Sequence, residues 1–194
     1  MTPFPRLATE RLLLRAFVPA DAPTVERLAG AWQVAETTLT IPHPYPPGAA
    51  AAWIETHATG WDSGKRLTLA ICVAEPPQEL VGAIGLTLAG EHAHAELGYW
   101  IAAAMWGRGY ATEAARAVVA FGFATLGLHR IHARHFVRNA ASGRVMQKIG
   151  MRLEGVHRDA YRRWGRFEDA AVYAILAPEW EQMRPNGDHQ EQVT

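Results

Sequence analysis

Two rhythms of apolar and polar positions run along this chain, and the changes between them mark out its elements. Leu12-Leu13-Leu14-Arg15-Ala16-Phe17-Val18 reads as a first strand. Asp21 follows as an N-cap, with Pro23 in the first turn of a helix to about Ala31. Ile41-Pro42-His43-Pro44-Tyr45-Pro46-Pro47 cannot be regular structure, because proline removes a donor and restricts the residue before it. It reads as a stiff loop, followed by a second helix over about Ala49–Thr59. Three strands are predicted next, Leu67–Ala74, Leu80–Leu88 and Ala93–Ala102, separated at Pro76-Pro77 and Gly90. Such short connections predict adjacent antiparallel pairs. After Gly107-Arg108-Gly109 the period becomes 3.6: Ala111, Ala115, Val118, Val119, Phe123 and Leu126 fall on one face, and Gly127 supplies a stop. His129–Val137 reads as a strand and Ala140–Ile149 as a short helix capped by Asn139 and stopped by Gly150. Two closing strands, around Met151–Asp159 and Asp169–Leu176, join through Trp164-Gly165. The pattern predicts an α/β domain with one mixed sheet and helices on both faces.

Composition narrows the class. The 194 residues fit one domain, residues 1–180, with a polar tail over 181–194 expected to be disordered. A hydrophobic share of 49% with 20% charged residues excludes an intrinsically disordered chain. The single cysteine, Cys72, excludes a disulfide framework and fits a reducing compartment. The start Met1-Thr2-Pro3-Phe4-Pro5-Arg6 has no signal-peptide character, and Tyr99–Trp106 and Ala117–Leu128 are too short to span a bilayer. A cytoplasmic protein with no membrane partner is expected. Formal net charge is zero, which argues against DNA bound by the whole surface. The sum hides an uneven distribution. Residues 130–166 carry nine arginines and Lys148 against Glu154 and Asp159, a local excess of eight positive charges.

The chemistry-bearing stretch is a strand that enters a glycine loop and opens a helix, Tyr99 to Ala114. Glycines let backbone approach a ligand, and the first helical turn offers free N–H groups at the positive end of the dipole, which makes an anion site. No Gly-Lys-Ser/Thr occurs, and Gly107-x-Gly109 lacks the third glycine of a dinucleotide fingerprint. His92 and His94 are read on one face of a strand. Among His129, His132 and His135, alternation sets His132 opposite the other two. With no carboxylate or cysteine partner evident for either group, no metal is expected. Either His92 or His94 could relay a proton near Glu96.

Three motifs occur in order: Glu96-Leu97-Gly98-Tyr99-Trp100, Trp106-Gly107-Arg108-Gly109-Tyr110-Ala111-Thr112-Glu113-Ala114, and Asn139-x-x-Ser142-x-x-Val145-Met146-Gln147-Lys148-Ile149-Gly150. With them the chain resembles the GNAT superfamily of acyl-CoA N-acetyltransferases, in its RimJ/RimL-like (ribosomal-protein-alanine N-acetyltransferase) branch, from Thr9-Glu10-Arg11 through Tyr173. The resemblance implies a GNAT-like sheet of six to seven strands, mostly antiparallel, and acetyl-CoA as co-substrate. It implies that Trp106, Gly107, Arg108, Gly109, Tyr110 and Ala111 cradle the CoA pyrophosphate. Ile101, Ala102 and Ala103 would pair with the pantetheine arm, and Asn139, Ser142 and Lys148 would complete the CoA site. Trp106 stands where the superfamily has Gln or Arg, which removes a polar contact.

Acetyl transfer needs a base for the ammonium proton and a donor for the departing thiolate. On the resemblance, Glu96 is the base and Ser142 faces the sulfur. Many members carry a tyrosine four residues before the helix-ending glycine; here that position is Met146. Trp32, His43, Tyr45 and Tyr99 would wall the acceptor. The implied activity is N-acetyl transfer to a primary amine, on a protein N-terminus or a small molecule. Two alternatives stand beside it: a non-catalytic acyl-CoA sensor, which Met146 favours, and an RNA-associated module using the arginine-rich segment. Tyr161, Trp164 and Phe167 are candidates for a homodimer contact.

Overall fold

The computed structural model describes residues 4–76 and 78–183; Met1–Pro3, Pro77 of the expected Pro-Pro turn, and the tail from residue 184 lie outside it. In chain order its strands are β1 (Leu7–Ala8), β2 (Leu12–Arg15), β3 (Arg66–Val73), β4 (Leu80–Ala89), β5 (His94–Ile101), β6 (Arg130–Phe136), β7 (Arg152–Arg163) and β8 (Arg166–Leu176). The helices are α1 (Ala22–Ala29), α2 (Trp32–Ala35), α3 (Ala49–Asp62), α4 (Tyr110–Ala124), α5 (Ala140–Lys148) and α6 (Ala177–Met183). The sheet has eight strands in the order β1-β2-β3-β4-β5-β6-β8-β7. The strand beyond the expected six to seven is β1, whose two residues pair with β2.

Alternation along β3, β4 and β5 divides the core by faces. Leu67, Leu69, Ile71, Ile84, Leu86 and Leu97 pack against the buried stripe of α4, Ala114, Ala115, Val118, Val119 and Phe123. Ala70, Cys72, Ala83 and Trp100 face the other way, under Val25 and Ala29 of α1, Val34 of α2 and Ile54 of α3. Both faces are therefore covered, as the sequence pattern predicts.

Several expectations are corrected. β2 ends at Arg15 rather than Val18, where its pairing with β3 stops, and the Arg15 guanidinium turns to Asp21, whose oxygens accept from its Nη1 (2.7 Å) and Nη2 (2.9 Å). Asp21 also accepts from the Val18 N–H and makes no side-chain cap on α1. His92 lies in a 3-10 turn before β5, although its ring still stands 5.6 Å from that of His94. β7 and β8 run on to their turn instead of stopping at 159 and starting at 169, and Trp164 and Gly165 both have positive φ, the twist a two-residue hairpin needs. Residues 181–183 belong to α6, whose Trp180 ring lies 5.3 Å from Phe123, so the start of the expected disordered tail is helical.

The excess positive charge of 130–166 is offset in part by carboxylates from outside the segment, while Arg130 is met by Glu154 within it. Arg130 pairs with Glu154, Arg134 with Glu96, Arg138 and Arg166 with the buried Glu168, and Arg152 with Glu179. No helix among the described residues is long and apolar enough to cross a membrane.

One topological detail positions the site. β5 and β6 are the sheet's single parallel pair, in register only at His94↔Arg130, Ala95↔Ile131 and Glu96↔His132. Beyond Glu96 the two strands separate. β5 stays paired with β4 to its end, so from Leu97 to Ile101 its other edge borders an open wedge.

Candidate active site

The wedge widens into a cavity of ≈ 1200 Å³ that passes through the sheet. One wall is the glycine loop and α4, another is α5, and the far side is roofed by the segment after α2. The loop turns because Gly107 (φ 77°) and Gly109 (φ 82°) take left-handed backbone angles, which a side chain disfavours. Gly107, Gly109, Tyr110 and Ala111 line the cavity at the N-terminus of α4, where the first amides have no intrahelical acceptor. Arg108 lies outside the lining, and its carbonyl accepts from Arg11 Nη1 at 3.0 Å.

A buttress behind this loop escapes motif reading. Glu113, in the first turn of α4, accepts from Thr9 Oγ1 (2.6 Å), the Arg11 N–H (2.9 Å) and Arg11 Nε (2.8 Å). Burial opposes its charge, but these hydrogen bonds outweigh burial and hold the carboxyl below its usual range. Glu113 thereby ties the β1–β2 turn to the loop. The signal was present in Thr9, Arg11 and Glu113 of the motifs, but only the fold joins them. Trp106 is similarly committed: its indole N–H donates to the Ile101 carbonyl at 2.7 Å.

That bond changes the expected pantetheine strand. The Ile101 carbonyl is taken by Trp106, and the Ala102 N–H donates to Val81 at 2.8 Å. Ala102 and Ala103 do not line the cavity, whereas Leu97, Gly98, Tyr99, Trp100 and Ile101 do. The free edge thus lies earlier along β5 than the resemblance implies.

Across the wedge, Asn139 Oδ1 accepts from the Ser142 N–H (3.3 Å) and starts α5 as predicted. Ser142 Oγ stands 2.8 Å from the Tyr99 hydroxyl, which also reaches the Ser142 carbonyl at 3.2 Å. Burial pushes the Tyr99 phenol up to about 12, against the opposing hydrogen bond with Ser142, so it stays protonated at neutral pH. Tyr99 therefore faces α5 rather than the acceptor wall assigned to it. Met146 is a core residue, 1% exposed, and the hydroxyls at the wedge come from Tyr99 and Ser142. Lys148 lines the cavity together with Arg144, one turn earlier on α5. Their i,i+4 spacing was readable in the sequence but was missed.

Glu96 lies on the opposite face. Arg134 grips it in bidentate fashion, Nε to Oε1 and Nη2 to Oε2, both at 2.8 Å, while Arg134 Nη1 also donates to Tyr161. His132 Nε2 stands 4.0 Å from Glu96 Oε2. Burial lowers the affinity of His132 for a proton against the pull of Glu96, leaving a neutral imidazole at pH 7. The His94 ring is 5.7 Å from that of His132. The expected base is thus also the ion-paired strand-end carboxylate.

Of the expected acceptor residues, Tyr45 lines the cavity, whereas Trp32 and His43 do not. Trp32 packs edge-on against Trp164 (4.8 Å) and His43 (5.1 Å), and His43 Nδ1 bonds the Gly30 carbonyl at 2.8 Å. Arg163 lies 4.1 Å over the Trp164 ring and donates to the Ile41 carbonyl; Arg138 donates to the Glu36 carbonyl. Trp32 and His43 hold the roof to the β7–β8 hairpin. Trp164 is consequently engaged within its own chain, leaving Phe167, 63% exposed, as the outward aromatic of the expected dimer patch.

A splayed parallel pair, a left-handed glycine loop at a helix start and an apposed short helix define a class of acyl-CoA-using transferase. Residues 11–152 match the family described as Acetyltransferase (GNAT) domain, and the chain belongs to that family of acetyltransferases. It is 35% identical over 178 residues to the Bacillus subtilis (strain 168) "Uncharacterized N-acetyltransferase YoaA", a match covering 90% of this chain and 98% of that one. A GNAT-family acetyltransferase from Bacillus anthracis superposes with a TM-score of 0.78 at 28% identity, over 90% of this chain and 99% of that chain. The ribosomal L7/L12 α-N-protein acetyltransferase RimL, solved with coenzyme A, shares the fold at a TM-score of 0.77 and 20% identity, covering 89% and 98% of the two chains.

Proposed function

We propose that the chain transfers the acetyl group of acetyl-CoA to a primary amine by direct attack in a ternary complex, as a RimJ/RimL-like member of its family. The carrying observation is the limited β5–β6 pairing, which leaves the β5 edge beside a cavity open to both faces of the sheet. The thioester supplies an activated acyl carbon and a thiolate leaving group. Gly107, Gly109 and the first amides of α4 suit its pyrophosphate, while Arg144 and Lys148 add cationic charge from α5.

As the amine nitrogen bonds the acyl carbon, the carbon–sulfur bond breaks, and the sulfur needs a hydrogen-bond donor. Ser142 fills this role, with its hydroxyl oriented by Tyr99. The ammonium proton passes to Glu96, directly or through water, on a lone pair that the two N–H groups of Arg134 leave free. His132, neutral and 4.0 Å away, is the next base in line. The sensor reading rested on Met146, and the Tyr99–Ser142 pair answers the hydroxyl that this position lacks.

The test is release of free CoA thiol from acetyl-CoA with a panel of amines, including peptides with varied N-termini. Acetylated amine in equal amount to thiol is the expected result. Stabilisation by acetyl-CoA without turnover of any amine would establish the sensor instead.

A further inference from the structure

The lining of the acceptor side has an unusual charge balance, and it bears on what the acceptor carries besides its amine. Antiparallel register sets Arg66 of β3 beside Thr87 of β4, and Thr87 beside Glu96 of β5, all on the face roofed by α1–α3. With strands about 4.8 Å apart, the Arg66 and Glu96 backbones are roughly 10 Å from each other. The next row is Thr68, Gly85 and Gly98. Gly98 presents no side chain, and a Cβ there would meet nothing within 4 Å, so the floor beside Glu96 is open at this position.

Among the described lining residues the charged groups are Arg66, Glu96, Arg134, Arg144 and Lys148. Glu96 is the only carboxylate, and its charge is matched by the bidentate Arg134. Arg144 and Lys148 belong to α5, on the opposite side of the sheet. Arg66 thus remains on the acceptor side with no carboxylate partner among the described residues, and the hydroxyls of Thr68 and Thr87 flank it. A polyamine entering here would meet a guanidinium and no spare acid, an unfavourable match. An anion would find a charge-assisted donor in Arg66, which is exposed at the start of β3 and lines the cavity.

We propose that the acceptor is an amine bearing a carboxylate within a few bonds of its nitrogen, with the carboxylate held by Arg66, Thr68 and Thr87 and the amine directed toward Glu96. This inference rests on the acetyl-transfer reading. The same chemistry has two sources, a free amino acid and a peptide N-terminus with an acidic side chain close behind it.

The experiment measures CoA thiol release by the full chain with matched acceptors: amino acids and their carboxamides, dipeptides with Asp or Asn second, and spermidine. The acid of a matched pair is expected to exceed its amide in kcat/KM by about tenfold or more, as for a hydrogen bond to a charged group. Arg66→Gln raises KM for the acid by a similar factor, leaves KM for the amide and for acetyl-CoA unchanged, and Arg66→Lys restores part of the loss. Preference within amino acids or within dipeptides identifies the source. Equal use of acid and amide, preference for spermidine, or an Arg66→Gln loss shared by both members of a pair would overturn the proposal while leaving acetyl transfer intact. Absence of turnover with every amine would instead overturn the transfer reading, and this one with it.

Discussion

The hydroxyls of Tyr99 and Ser142 meet at 2.8 Å across the wedge between β5 and α5, joining two residues 43 positions apart. If this pair serves the departing sulfur, Ser142→Ala lowers kcat by about 10²-fold, the lower range for a positioned proton donor, with acetyl-CoA affinity little changed. Tyr99→Phe lowers it less. The double variant falls no further than Ser142→Ala alone, since both act through one hydroxyl. Single-turnover rates beside acetyl-CoA titration check this. Full activity in Ser142→Ala would return that serine to a structural place in α5.

Glu96→Gln keeps the shape of the side chain and removes the proton acceptor. Turnover at pH 7 is expected to drop by about 10²-fold, with acetyl-CoA affinity preserved. Steady-state kinetics over amine concentration decide the matter. An unchanged rate at pH 7 would remove Glu96 from the base role and leave it as the partner of Arg134.

Gly109→Ala tests the loop. A left-handed angle costs a residue with a Cβ about 1–2 kcal/mol, and the new atom would sit 3.4 Å from Arg11 Nη2. The loop must shift at the start of α4, so KM for acetyl-CoA rises by roughly tenfold while kcat changes less.

Gly143 lies on the buried face of α5, against the His135 ring. A Cβ there would approach His135 Nε2 to 2.8 Å, and that ring is backed by Tyr173 at 5.7 Å. Gly143→Ala is expected to destabilise the chain by about 1–3 kcal/mol, measured by denaturant unfolding. The same displacement moves Ser142, so kcat falls in the fraction that remains folded.

His57 is buried between Phe17 and Trp53, with neither ring nitrogen hydrogen-bonded. Burial first, and Arg66 second, lower its folded-state value to about 4 from an ordinary 6.5. Between these values the unfolded chain binds the proton and the folded chain does not, so stability is lost as pH falls through that window, at up to about 1.4 kcal/mol per unit. Unfolding curves from pH 7 to 4 are expected to show this slope, reduced in His57→Phe.

Much of this architecture was legible because its cues are local. Gly107, Gly109 and the stripe from Ala111 to Phe123 announce a loop and a helix whatever surrounds them, and Asn139 caps α5 by reaching only three residues ahead. Asp21 carried the same kind of signal and was misread, since Arg15 outcompetes the helix amides for its carboxylate. The closing strands were cut short because polar residues such as Glu168 look like loop until Arg138 and Arg166 neutralise them.

The sequence alone determined the α/β class, the order of elements, the family and the residue types available for acetyl transfer, since periodicity, turn chemistry and contiguous motifs reside in neighbouring positions. Tertiary structure decided which residues meet: Glu96 with Arg134, Tyr99 with Ser142, Trp106 with Ile101, and Arg66 in line with Thr87. These pairings depend on strand register and on where β6 leaves β5. Register is set by packing of whole faces, and a one-residue slip would carry the strand side chains among these, Arg66, Thr87, Glu96, Tyr99 and Arg134, to the other side of the sheet.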